Sequence, residues 1–107
     1  MFWKNAHISI SYESVADEYF VEWGERLGCG MNGSVRSATK RATSKKFAVK
    51  VIRDRPRGRA EVEVHTKVMD HPNIVQLHEV FCNELKFPGE SEASAKLILI
   101  LEKMEVI

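Results

Sequence analysis

Apolar and polar positions alternate from Phe20-Val21-Glu22-Trp23 onward, and the period of two predicts a first strand over 20–27, ending at a glycine-rich turn. Val35 restarts the pattern, which predicts a second strand over 34–40 and, after the polar connection Arg41-Ala42-Thr43-Ser44-Lys45, a third over 46–52. On that third strand, alternation puts Ala48, Lys50 and Ile52 on one side and Phe47, Val49 and Val51 on the other. Residues 74–81 read as a fourth strand. Residues 96–103 read as a fifth, apolar enough without interruption to be buried on both faces.

Residues 60–69 are ambiguous. Glu61-Val62-Glu63-Val64 alternates like a strand, yet Glu61, Val64, His65 and Val68 fall on one face at helical spacing. Pro72 disfavours helical geometry in the residue before it, so an element here stops at Asp70-His71-Pro72-Asn73. Residues 83–95 are polar, contain Pro88-Gly89 and read as a loop insert. Residues 1–19 show no clean period and read as an irregular lead-in, with one short strand around 8–12.

Charge changes this picture little. Sixteen basic against fifteen acidic side chains give +1, which provides no net field toward nucleic acid or an anionic membrane. The basic stretch Asp54-Arg55-Pro56-Arg57-Gly58-Arg59 lacks a neighbouring aromatic platform and reads as a solvated strand-to-helix connection, with Pro56 suited to a first helical turn. Two cysteines, Cys29 and Cys82, make neither a disulfide framework nor a C-x-x-C metal spacing, as suits a reducing compartment. The N-terminus has no unbroken apolar segment of the secretory kind, and the aliphatic run 97–101 is far too short to span a bilayer. The expected location is cytoplasmic or nuclear.

The candidate chemistry lies in Leu27-Gly28-Cys29-Gly30-Met31-Asn32-Gly33-Ser34-Val35 and in Phe47-Ala48-Val49-Lys50. Three glycines remove the Cβ atoms from a sharp turn, so backbone N–H groups can approach a polyphosphate closely. A dinucleotide-binding turn needs a helix to open at the third glycine, but Ser34-Val35-Arg36-Ser37-Ala38-Thr39 lacks a helical stripe. No Gly-Lys-Ser/Thr follows, which excludes the Walker pattern. A hairpin leading to a strand with one lysine among apolar residues resembles the glycine loop and phosphate-pairing lysine of protein kinases.

The resemblance runs from about Phe20 to Met104. Asp54-Arg55-Pro56-Arg57, His71-Pro72-Asn73-Ile74-Val75-Gln76, Glu79-Val80-Phe81 and Phe87-Pro88 narrow it to the MAP kinase-activated protein kinases. It implies an α+β small lobe: a curled five-stranded antiparallel sheet with one helix, which decides 60–69 for helix. It also implies ATP as cofactor. Leu27 to Val35 would cover the nucleotide, Val35 and Ala48 would roof the adenine, and Lys50 would hold the α- and β-phosphates. Glu61, eleven residues after Lys50, would orient that lysine. His65 would pack beneath Glu61 as a spine residue, and Leu77 would match the family's second spine position in this lobe. Leu101 would guard the back of the adenine slot, with Glu102 and Met104 offering backbone groups to the adenine edge. A kinase domain over 20–105 would then follow the lead-in of 1–19 and precede a divergent end at 106–107.

Bland alternatives accompany two of these residues. Lys50 could be an edge lysine that discourages aggregation, and Glu61 a solvated helix carboxylate. The aspartates Asp17, Asp54 and Asp70 stand in neither His-Arg-Asp nor Asp-Phe-Gly, so the catalytic base and Mg²⁺ ligands of phosphoryl transfer are not in this sequence. The expectation is an ATP-binding lobe, truncated after the hinge and inactive alone. An upstream MAP kinase or another protein is the expected partner; nucleic acid and membrane are not expected. The rival reading is a non-catalytic interaction module or a fragmentary product.

Overall fold

A computed structural model describes residues 9–24, 28–30, 33–67 and 75–103. Their strands are β1 (Ile10–Ser11), β2 (Tyr19–Val21), β3 (Gly28–Gly30), β4 (Gly33–Lys40), β5 (Lys46–Arg53), β6 (Leu77–Leu85) and β7 (Ser94–Glu102), with helices α1 (Val15–Glu18) and α2 (Pro56–Lys67). One sheet runs β1-β6-β7-β5-β4-β2, with β3 also on β4. The architecture is the expected α+β small lobe. Every pairing is antiparallel except β1 on β6, which adds a parallel strand at the far edge and makes the sheet mixed.

The expected first strand is two pieces. Val21 pairs with Ala38 but Gly28 pairs with Val35, so six residues on one side stand against Arg36 and Ser37 on the other and the ladder is broken between them. Alternation alone carries no sign of such a break, because it records faces and not partners. The fourth strand begins later than expected and continues to Leu85, and the fifth begins at Ser94, which shortens the loop insert to 86–93.

Alternation on β5 divides the core. Phe47, Val49 and Val51 join Ala38, Phe81, Ile98 and Ile100 on an outer face, while Ile52 joins Leu77, Val80, Cys82, Leu97 and Leu99 on the inner face with Val62 of α2. As expected for a strand covered on both sides, Leu97, Ile98, Leu99 and Ile100 are all buried.

The lead-in covers the outer face. From β1 at the β6 edge it crosses to β2 at the β4 edge, burying Val15 and Tyr19 against the sheet. Asn83 fixes the crossing by accepting from the Val15 N–H at 2.9 Å and donating to the Glu13 carbonyl at 2.8 Å. The Tyr19 ring meets Phe47 and Phe81 edge to face, and its hydroxyl donates to Glu79.

Helix α2 begins at Pro56, as expected of a proline suited to a first helical turn, and the basic stretch forms its first turns. Proline suits that position because its fixed φ is helical and its missing N–H would have had no intrahelical acceptor. The buried face differs from the expected one. Gly58 and Val62 are buried, His65 and Thr66 are half-buried, and Val64 is 60% exposed. Residues at i, i+4, i+7 and i+8 from Gly58 share a stripe that leaves Val64 on the far side, so Val64 was misplaced by the count that started from Glu61. Val68 and the stop at 70–73 lie outside the described residues.

Candidate functional site

Register assembles the site on the inner face. Val35 pairs with Lys50, which pairs with Leu99; Ala48 pairs with Leu101, which pairs with Leu77. Directly opposed residues in a sheet project to the same side, so Val35, Ala48, Lys50 and Leu101 share one face. Each is half-buried, apolar around the lysine and still open to a ligand.

Two further elements reach that face. Helix α2 brings Glu61, whose Oε1 lies 3.4 Å from the Lys50 Nζ. Their side chains are 42% and 25% exposed, so the pair contributes only ~0–1 kcal/mol to stability, and its value is positional. The β3–β4 hairpin brings the glycines: Gly28 pairs with Val35, which pairs with Lys50, and Gly30 pairs with Gly33. At Gly28–Gly30, Gly33 and Ser34 the backbone path is described. Leu27, Met31, Asn32 and Met104 lie outside the described residues.

The expected spine positions serve as supports. His65 is half-buried with Nε2 2.7 Å from the Val75 carbonyl, which ties the C-terminal half of α2 to the chain entering β6. Leu77 is buried two residues on. The Glu102 N–H donates to the Gln76 carbonyl at 2.8 Å, so the end of β7 is held against the same segment.

Sequence reasoning missed a second cluster, at the start of α2. Arg59 donates to Asp54 through Nε at 2.7 Å and Nη2 at 3.0 Å, and Asp54 lies 3.5 Å from the Cys82 thiol. The hydrogen bond from Arg59 holds the Asp54 carboxyl below the usual carboxylate range, while burial pushes the Cys82 thiol up. The only sequence signal was an acid and an arginine five apart across a predicted helix start.

The fit to a nucleotide follows from these groups. A partly exposed ammonium fixed by a carboxylate, glycines on a tight hairpin and a small apolar surface beside them suit a polyphosphate with an attached flat ring. Divalent metal is different: among the described residues no cluster of three or more His, Cys, Asp or Glu could hold one.

These features define a class. Residues 21–106 match the family model of the protein kinase domain, and the chain belongs to that family. It is 43% identical over 97 residues to MAP kinase-activated protein kinase 5 of Homo sapiens and of Mus musculus, an overlap of 91% of this chain and 20% of those proteins. To MAP kinase-activated protein kinase 2 of Homo sapiens it is 36% identical over 76 residues, 71% of this chain and 19% of the relative. The resemblance read from the glycine turn and the lysine strand is borne out. The chain spans about a fifth of the length of these curated relatives.

Proposed function

We propose that this chain is the ATP-binding small lobe of a serine/threonine kinase of the MAP kinase-activated type. The supporting observation is the Lys50–Glu61 pair at 3.4 Å on the face that also carries Val35, Ala48 and Leu101. ATP supplies the transferable phosphoryl group. Lys50 binds its α- and β-phosphates, Glu61 keeps the ammonium from swinging to solvent, and the Gly28–Gly33 hairpin covers the phosphates with N–H groups. Val35, Ala48 and Leu101 shape the adenine slot, and the backbone of Glu102 and Met104 meets the adenine edge. The MAP kinase pathway supplies the protein partners, and the cytoplasm or nucleus is the proposed location.

These 107 residues alone position a nucleotide without transferring phosphate, because no aspartate of a catalytic loop and no Mg²⁺ ligand set accompanies Lys50. Only one wall of the slot is present, so affinity is expected near ~1 mM, about −4 kcal/mol. Titration of ATP while following the amide signals of Gly28, Gly30 and Gly33 tests the reading. Shifts at those glycines that Lys50→Met abolishes are expected; their persistence in that variant, or sub-micromolar affinity, would overturn it. Radiolabelled transfer to a basic-hydrophobic peptide should not exceed that of Lys50→Met.

A further inference from the structure

The basic stretch at the start of α2 has no part in the nucleotide site, and the lead-in brings an exposed phenol to it. Tyr12, between β1 and α1, is 69% exposed. Arg59 Nη2 donates to its hydroxyl oxygen at 3.3 Å. The contacts of Arg59 to Asp54 and Tyr12 use Nε and Nη2, so among the described residues the Nη1 protons of a five-donor guanidinium meet no acceptor and are available to a larger anion. Arg55 stands one helical turn earlier, its carbonyl accepting from the Arg59 N–H at 2.9 Å, and its own side chain is exposed without an ion-pair partner among the described residues. Both arginines lie at the N-terminal end of a twelve-residue helix, where the helix dipole adds to their attraction for a negative group. Tyr19, by contrast, is 1% exposed with its hydroxyl on Glu79.

We propose that Tyr12 is a phosphoryl-acceptor site whose phosphate is bound by Arg59 and Arg55, tying the N-terminal crossing to helix α2. The modifying activity is a protein tyrosine kinase using ATP. The Tyr12 oxygen attacks the γ-phosphorus, the bond from that phosphorus to the ADP oxygen breaks with its electron pair leaving on ADP, and the phenolic proton passes to the modifying enzyme's base. The product exchanges one hydrogen bond from a guanidinium to a neutral phenol for bonds between an anionic phosphate and two planar guanidinium forks. Asp54, which shares Arg59, and Glu13, next in sequence, oppose the phosphate. Arg55, exposed and without an ion-pair partner among the described residues, supplies the positive charge that Asp54 does not already offset. The proposal stands apart from nucleotide binding, although the helix it ties carries Glu61.

The test has two arms. The full chain is treated with a broad-specificity tyrosine kinase and Mg-ATP beside a peptide of residues 9–16, and mass spectrometry locates the phosphate. Modification at Tyr12 and not at Tyr19 is expected; a folded chain refractory where the peptide is modified would overturn the acceptor assignment. In the second arm, phosphotyrosine is installed at position 12 by semisynthesis and its second ionisation is followed by phosphorus NMR. It should fall below that of the phosphopeptide by ~0.5 unit or more, a threefold change, and Arg55→Gln should reverse much of that depression. Arg55→Gln leaves the Arg59–Asp54 pair in place, so folding is not at issue. A phosphate that titrates as in the peptide, or that ignores Arg55→Gln, would refute capture.

Discussion

Gly58 shows how one missing methyl group sets the position of Glu61. A Cβ at this position would lie 2.5 Å from the Arg53 carbonyl oxygen and 3.3 Å from Ile52 Cδ1, so only glycine lets α2 settle onto the end of β5. Gly58→Ala should therefore cost ~1–3 kcal/mol despite alanine's better helix propensity. Gly24→Ala, where an added Cβ meets nothing within 4 Å, should stay within ~0.5 kcal/mol. Urea midpoints of the two variants check the contrast, and equal midpoints would remove the packing argument. Tyr19 is the second such residue. Burial, first, and the hydrogen bond to Glu79 push its phenol well above the ordinary range near 10. A folded-state pKa raised above the unfolded one favours the protonated form, so stability is retained below about pH 10 and falls as pH rises beyond it. Tyr19→Phe should lose ~1–3 kcal/mol at neutral pH by stranding Glu79, and its stability should decline less than that of the parent between pH 10 and 11. Chemical denaturation at several pH values measures both.

At the scale of elements, the β6–β7 hairpin is closed by a buried lysine. Lys96 is 0% exposed, and its ammonium donates to the Leu85 carbonyl at 2.8 Å, Ser94 Oγ at 2.6 Å and Glu90 Oε1 at 3.0 Å, beneath the Phe87 ring. Glu90 in turn accepts from the Phe87 N–H at 2.7 Å and pairs with Arg53. Gly89 makes the turn possible at φ +89°, a conformation that side-chain-bearing residues rarely adopt. Lys96→Met would remove the buried cation from these acceptors and leave Glu90 with the more exposed Arg53, with an expected cost on the order of 2 kcal/mol in thermal or urea unfolding. The Phe87 N–H and then Lys96 hold the Glu90 carboxyl at about 2. Because this folded-state pKa lies below the unfolded one, the stabilisation is present above about pH 4.5 and is lost as pH falls toward 2. Glu90→Gln should therefore flatten part of the acid limb of the stability curve. An acid limb identical to the parent's would contradict the linkage.

For the whole molecule, the sheet is covered unequally. The crossing of residues 13–21 and the hairpin residues Leu85 and Phe87 close the outer face, while α2 covers the inner face near Ile52, Leu97 and Cys82. The other end of the inner face, at Val35, Ala48 and Leu101, stays half-open, and that is where Lys50 points. The lead-in is therefore part of the fold. Removing residues 1–18 would expose the surface under Val15 and leave Asn83 without its bonds to Glu13 and Val15. The shortened chain should unfold several degrees lower and bind a hydrophobic dye more strongly, as calorimetry and dye fluorescence would show. Unchanged behaviour in both would mean that the crossing adds nothing to the core.

The local pattern determined the strands, the hairpin at the glycines and the face that Lys50 shares with Ala48, because side-chain alternation is a property of consecutive residues. Glu61 was legible only through its spacing from Lys50 in a recognised family, since the alternating Glu61-Val62-Glu63-Val64 favours strand as readily as helix. Tertiary structure decided what depends on partners distant in the chain. Val62 and not Val64 faces the core because Gly58 permits close approach at Arg53. Lys96 is buried because Leu85, Glu90 and Ser94 bring oxygen atoms to it, which no count of neighbours along β7 contains. Residues 9–21 show no single period because they pass from a two-residue strand through a four-residue helix to a three-residue strand. Their place is fixed by Asn83, Glu79 and the aromatic edges of Phe47 and Phe81, contacts that span from 28 to 70 positions in sequence and exist only once the sheet has formed.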